Sequence, residues 1–209
     1  MGLISGRPEK EKMKEFDLVE LSHMFREIRT NNVKLGWQPH DLELGEVLAL
    51  LHTEVAEMTD AYRRWGFDDA TRYTTIGDDG SVIGAANPKP EGVGSEMADV
   101  IIRLLDNVDM FPVGFEYLVS GHGWFGFSDR FGTVCNTLHT LIAKLSMALD
   151  SYESCPLPEE LPFIGRCFRD VFQYLIQAAE HFGIDIRFEY ERKLTYNKTR
   201  AYRHGGKRM

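Results

Sequence analysis

The sequence predicts an all-α fold, a helical bundle built as a single domain over residues 1–209. Three observations carry this expectation. Apolar residues recur at steps of three and four along successive stretches, as they do on helices with one core-facing stripe. Breaks rich in Gly, Pro and Asp separate those stretches. Two acidic pairs, Glu54/Glu57 and Glu96/Asp99, have the i, i+3 spacing that places both members on one face of a helix.

The elements follow in order. Residues 1–14 are charged and are expected to fray. From Phe16, the residues Val19, Leu21, Met24, Phe25 and Ile28 form a first amphipathic helix that ends near Asn31-Asn32. The KLGWQPHD loop follows, and Asp41 is the expected N-cap of a helix running to Arg63–Gly66, with Leu44, Val47, Leu48, Leu51, Val55, Met58 and Tyr62 as its stripe. About thirty residues rich in Gly, Asp, Thr and Pro come next, a length that marks a functional or disordered loop; its GDDGSV segment suits a small hairpin. Ser95 is the expected N-cap of a helix reaching Met110-Phe111, just before Pro112. After the GHGWFGFSD connector, helices are expected at Phe131–Tyr152, Phe163–Phe182 and Asp185–Arg200, the first two separated by the CPLPEELP break.

Composition narrows the class. With 43% hydrophobic and 27% charged residues, 209 residues suffice for one domain with a true core. No apolar run has the length of a membrane span, and MGLISGRPEKEKMKEF lacks the apolar centre of a signal peptide, so no membrane partner and a cytoplasmic location are expected. Cys135, Cys155 and Cys167 have no CxxC spacing, which argues against a zinc knuckle or a disulfide framework. They are expected to be reduced and partly buried. The net charge of −8 argues against general nucleic-acid binding, although ERKLTYNKTRAYRHGGKRM is basic.

The acidic pairs carry the chemistry. Glu54 and Glu57 flank an apolar stripe, and Asp99 precedes the run Val100, Ile101, Ile102, Leu104, Leu105. Acids pressed against apolar helix are usually paired or hold metal. Residues three apart on a helix lie roughly 5–6 Å from one another, so each pair can close on one ion, and hard oxygen donors of this kind suit Mg²⁺. His40 and His52 have no second ligand at metal spacing and read as structural.

An internal echo relates two halves, about 16–118 and 130–200. LHTEVAEM resembles LHTLIAKL, and EMADVIIRLL resembles CFRDVFQYLI. In the second copy Leu141, Lys144 and Cys167 replace Glu54, Glu57 and Glu96, and only Asp170 keeps its acid. A degenerate duplication, with one composite site per chain, is the economical expectation.

Taken together, Glu54-Val-Ala-Glu57, Glu96-Met-Ala-Asp99 and the run YERKLTYNKTR resemble the all-α nucleoside triphosphate pyrophosphohydrolases, which include the MazG-like proteins and the dimeric dUTPases. The resemblance covers roughly residues 16–200. It implies that Glu54, Glu57, Glu96 and Asp99 hold Mg²⁺, with Mn²⁺ as a substitute, and that Glu54, ahead of Glu57, orients or deprotonates the attacking water. It further implies that Tyr190, Lys193, Asn197 and Arg200 grip the phosphates and sugar of a nucleoside triphosphate, which is split to a monophosphate and pyrophosphate. Lys193 and Asn197 at i, i+4 share one helix face, and Arg200, three residues further on, continues the same stripe. Trp37 is the candidate for stacking on the base, weighed against plain packing. A homodimer is compatible with this resemblance. Two departures stand out: the interval between the acidic pairs is longer than in compact MazG-like proteins, and no base-reading motif can be placed.

Two other readings compete. A di-iron carboxylate bundle requires Glu-x-x-His pairs, and neither pair here has a histidine. A non-enzymatic helical protein would use the basic tail for nucleic acid or for assembly.

Overall fold

The computed structural model describes residues 16–37, 42–67, 73–74, 88–120 and 125–202. The fold is all-α, as expected. The described residues contain seven α-helices: α1 (Leu18–Lys34), α2 (Leu44–Trp65), α3 (Val93–Asp106), α4 (Glu116–Val119), α5 (Phe131–Ser154), α6 (Leu161–Phe182) and α7 (Ile186–Asn197). A short antiparallel ladder, β1 (Tyr73–Thr74) on β2 (Lys89–Pro90), pairs Tyr73 with Pro90. No helix among the described residues is long and apolar enough to cross a membrane. The GDDGSV segment, Asp41, His40 and most of the basic end beyond Tyr202 lie outside the described residues.

α3 is the axis of the bundle. Val93, Met97, Ala98, Val100, Ile101, Leu104 and Leu105 are all fully buried, and α1, α2, α6 and α7 pack around them. A helix apolar on nearly every side has to be enclosed in this way. Its half-exposed positions are Asp99, Arg103 and Asp106, one charged stripe down a single face. α2 lies between α3 and α5, α5 packs on α6, and α4 closes the far end of α6. Phe131 begins α5 in a ring cluster with Tyr62, Phe67 and Phe182.

Helix ends depart from expectation in four places. α2 starts at Leu44, capped by Glu43 in a capping box with Glu46, two residues beyond Asp41. α3 starts at Val93 from Gly92, whose φ of 94° makes the turn out of β2. Ser95 is therefore inside the first turn rather than at the cap. α3 stops at Asp106, and a 3₁₀ turn at Val108–Met110 covers the rest of the predicted span. α7 ends at Asn197, so Arg200 sits in the turn beyond it and does not extend the helical stripe.

His52 and His139 meet across the α2–α5 seam with Nδ1 atoms 2.9 Å apart. Burial lowers both proton affinities, so one neutral ring donates to the other and the pair pins two helices. Cys135 and Cys167 are buried, Cys155 is exposed, and all three are free thiols.

The echo positions coincide in environment. Glu54 and Leu141 are buried, Glu57 and Lys144 exposed, Glu96 and Cys167 buried, Asp99 and Asp170 half-buried. Asp170 raises the proton affinity of the buried Cys167 thiol as Asp99 raises that of the Glu96 carboxyl, but Lys144 lowers it where Glu57 raises Glu96.

Gly165 in α6 supplies a test of the α4–α6 contact. A Cβ there would come within 2.1 Å of the Tyr117 ring. Alanine gains about 1 kcal/mol of helix propensity over glycine, but overpacking a core costs about 1–3 kcal/mol, so Gly165→Ala should lower unfolding free energy. Denaturant melts of the two proteins check the sign.

Candidate metal and anion site

α7 lies directly on the first turn of α3, because Gly94 leaves room for it. A Cβ at Gly94 would sit 2.7 Å from Glu189 Cγ. Glu189, almost fully buried, is paired with Arg192, whose guanidinium also donates to the Glu91 carbonyl and lies over the Tyr73 ring. These contacts lock α7 to β2 and to α3, and they aim Lys193 at the acids.

Three carboxylates meet there. Glu54 from α2 with Glu96 and Asp99 from α3 offer oxygens that all lie within 4.8 Å of one another. Glu54 and Glu96 are only 7% and 5% exposed. Lys193 is 3% exposed, with Nζ 2.7 Å from Asp99 Oδ2 and 3.8 Å from Glu96 Oε1. It also donates to Ser95 Oγ at 3.0 Å, and the Ser95 hydroxyl donates in turn to the Pro90 carbonyl. The hydroxyl proton is thereby committed to β2, which turns the oxygen lone pairs toward the ammonium.

Glu57 stands apart from this group. It is exposed on the rim, close enough for its charge to raise the proton affinities of Glu54 and Glu96. Arg103 is a member that the sequence reasoning missed: its Nη2 donates to Glu54 Oε1 at 2.9 Å. The i, i+4 spacing from Asp99 was the available signal.

The electrostatics follow from burial. Desolvation pushes the Glu96 carboxyl up to about 8 even against the pull of Lys193, with Asp99 and Glu57 adding repulsion. Burial likewise raises Glu54, Asp99 adds to the shift, and Arg103 opposes it. Burial alone would lower Lys193, but Asp99 and Glu96 outweigh it, so the ammonium stays charged. Four carboxyl groups thus face two cations, and only with all four ionised does the excess equal the charge of one divalent ion. All the donors are hard oxygens, the set that suits Mg²⁺ or Mn²⁺.

Beside the acids runs a polar seam between α1 and α7. Arg187 pairs with Glu20, Lys198 with Glu27, and a Cβ at Gly36 would strike the Tyr202 ring, so the helices run side by side in the same direction. Tyr190 Oη, Asn197 Oδ1 and Asn31 Nδ2 are buried on these two helices with no hydrogen-bond partner among the described residues. Buried orphans of this kind call for an explanation, such as a ligand. Asn31 was not singled out from sequence, although it occupies the core stripe formed by Leu21, Met24 and Ile28.

Trp37 is half-buried in the turn after α1, its backbone N–H donating to the Asn32 carbonyl. Arg200 lies past α7 over the Tyr196 ring. A cavity of about 320 Å³ opens on the outer face of α7, lined by Tyr73, Pro90, Phe188, Arg192 and Tyr196 among others. The acids are not part of that lining. No family model, curated protein or solved structure matches the chain.

The raised Glu96 value fixes a sign for pH. The carboxyl ionises near 4.5 without its neighbours and near 8 in the fold, so folding takes up a proton between those values. The stability this contributes is complete below the lower value and is lost as pH rises through the higher one. In EDTA, Tm should therefore fall from about pH 5 to about pH 8, and Glu96→Gln should flatten the fall. Thermal melts across that range are the check.

Proposed function

We propose that the protein is a Mg²⁺-dependent nucleoside triphosphate pyrophosphohydrolase. The observation that carries the reading is the pairing of Lys193 from α7 with Asp99 and Glu96 where their oxygens converge with those of Glu54. Anion-binding and cation-binding groups are interleaved within one hydrogen-bonded cluster, as a metal-bound polyphosphate requires. The resemblance of the three motifs to the all-α pyrophosphohydrolases points to the same chemistry.

Glu54, Glu96 and Asp99 would hold the ion, with Glu57 at the rim. When bound, a divalent cation neutralises phosphate oxygens and polarises the phosphorus under attack. Lys193 would meet non-bridging oxygens of the triphosphate, supplying fixed positive charge in a site that excludes water. Tyr190, Asn197 and Asn31 offer buried donors and an acceptor to the polar part of the nucleoside.

Glu54 is better suited than Glu57 to take the proton of the attacking water. Burial raises the proton affinity of its carboxylate, and a base whose pKa moves toward the working pH is the more effective one. Oxygen from water would bond to the α-phosphorus, the bond from that phosphorus to the bridging oxygen would break, and pyrophosphate would leave with the electron pair. Nucleic-acid binding by the basic run is the weaker reading, because Arg192 and Lys198 are already paired with Glu189 and Glu27 of this chain and Lys193 is buried inside the acidic cluster.

The test is release of pyrophosphate from the common NTPs and dNTPs plus dUTP, with and without Mg²⁺. Glu54→Gln and Asp99→Asn should each leave less than about a tenth of the activity with helical circular dichroism unchanged, since an amide cannot supply the anionic ligand that a hard cation needs. Retention of activity in either variant would overturn the ligand assignment.

A further inference from the structure

The charged stripe of α3 includes a residue that the proposed reaction does not use. Arg103 stands one helical turn beyond Asp99 and nearly one turn short of Asp106. Its Nη2 binds Glu54 Oε1 at 2.9 Å, and Glu54 is one of the three residues whose oxygens converge. A divalent ion needs lone pairs on the same carboxylate, and two cations held that closely repel each other. The contact therefore sets Arg103 against the ion.

The rest of the stripe gives Arg103 a second place to go. Asp106 Oδ2 accepts from Asn32, and Oδ1 is buried without a hydrogen bond among the described residues, 3.3 Å from Arg29 Nε. The Arg103 side chain is 31% exposed, so its guanidinium can turn along the helix surface without crossing the core. Lys193 differs in this respect: its side chain is 4% exposed, and Asp99 and Ser95 both hold its ammonium.

We propose that Arg103 is a tethered competitor for the divalent ion, neutralising Glu54 until the ion arrives and then swinging toward Asp106. This rests on the reading of Glu54, Glu96 and Asp99 as metal ligands. It makes Arg103 a residue that sets the concentration of metal at which the site loads.

The experiment is Mn²⁺ binding to the full chain, by calorimetry and by the electron paramagnetic resonance of free Mn²⁺, for wild type, Arg103→Gln, Arg103→Lys and Glu54→Gln. Arg103→Gln should bind Mn²⁺ about tenfold more tightly at low ionic strength, a gap that narrows as salt is added. Arg103→Lys, with a charge that reaches Glu54 less well, should fall between the two. In wild type, the ¹⁵Nε resonance of Arg103 should shift as Mg²⁺ saturates the site, a readout that needs no variant to fold. Equal or weaker Mn²⁺ affinity in folded Arg103→Gln, or an Arg103 signal unmoved by saturating Mg²⁺, overturns the competitor role and leaves the metal site standing. If wild type binds no Mn²⁺, or Glu54→Gln binds it undiminished, the metal assignment fails and the competitor role fails with it.

Discussion

The structure turns on two carboxylates kept out of water. Glu54 and Glu96 are nearly inaccessible in a bundle whose neighbouring side chains are Leu, Ile, Val and Met. Ionised carboxylates in such surroundings are costly unless matched by positive charge and hydrogen bonds. Much of the local architecture supplies that match. Lys193 arrives from α7, Arg103 from α3 itself, and Lys89 of β2 lends a weaker pull on Glu96.

Holding those charges in place requires rigid backbone contacts more than further charge. Gly92 turns the chain from β2 into α3, and Gly94 allows Glu189 against the first turn of that helix. The Glu189–Arg192 pair then links α7 to the Glu91 carbonyl. Removing one partner of a buried pair leaves the other uncompensated, which is more damaging than the loss of an exposed bridge. The lattice around Lys193 is thus buried and held from several sides, while Arg103, on the open side of the cluster, is about a third exposed. That asymmetry distinguishes a cation that belongs to the site from one that occupies it.

Much of the bundle was legible in the sequence because its helices are long and their apolar periodicity is strong. The stripe from Leu44 to Tyr62, and the apolar run after Asp99, both led to correctly placed helices. Helix ends were harder. Ser95 has the side chain of a cap, yet its hydroxyl serves Lys193 and Pro90 across tertiary space, and Gly92 takes the cap position because the entry from β2 demands a positive φ. Of the candidate site, the paired spacing pointed to Glu54, Glu57, Glu96 and Asp99 and the basic run to Lys193; the fold gathers Glu54, Glu96, Asp99 and Lys193 and leaves Glu57 at the rim. Arg103 and Asn31 escaped notice for the same reason: each acquires its meaning from a partner on another helix, which no local pattern encodes. Arg200 was placed on a stripe that requires one more helical turn than α7 has.

The matched environments of Glu54, Glu57, Glu96 and Asp99 with Leu141, Lys144, Cys167 and Asp170 give the molecule an internal blank. One helical hairpin carries a dense negative cluster at positions that the other fills mainly with aliphatic, thiol and cationic groups. The chain can therefore place conformational cohesion and reactive charge in different hairpins. Substitutions that harden α5 and α6 leave the carboxylates untouched, and the acid-bearing pair is at liberty to remain locally frustrated.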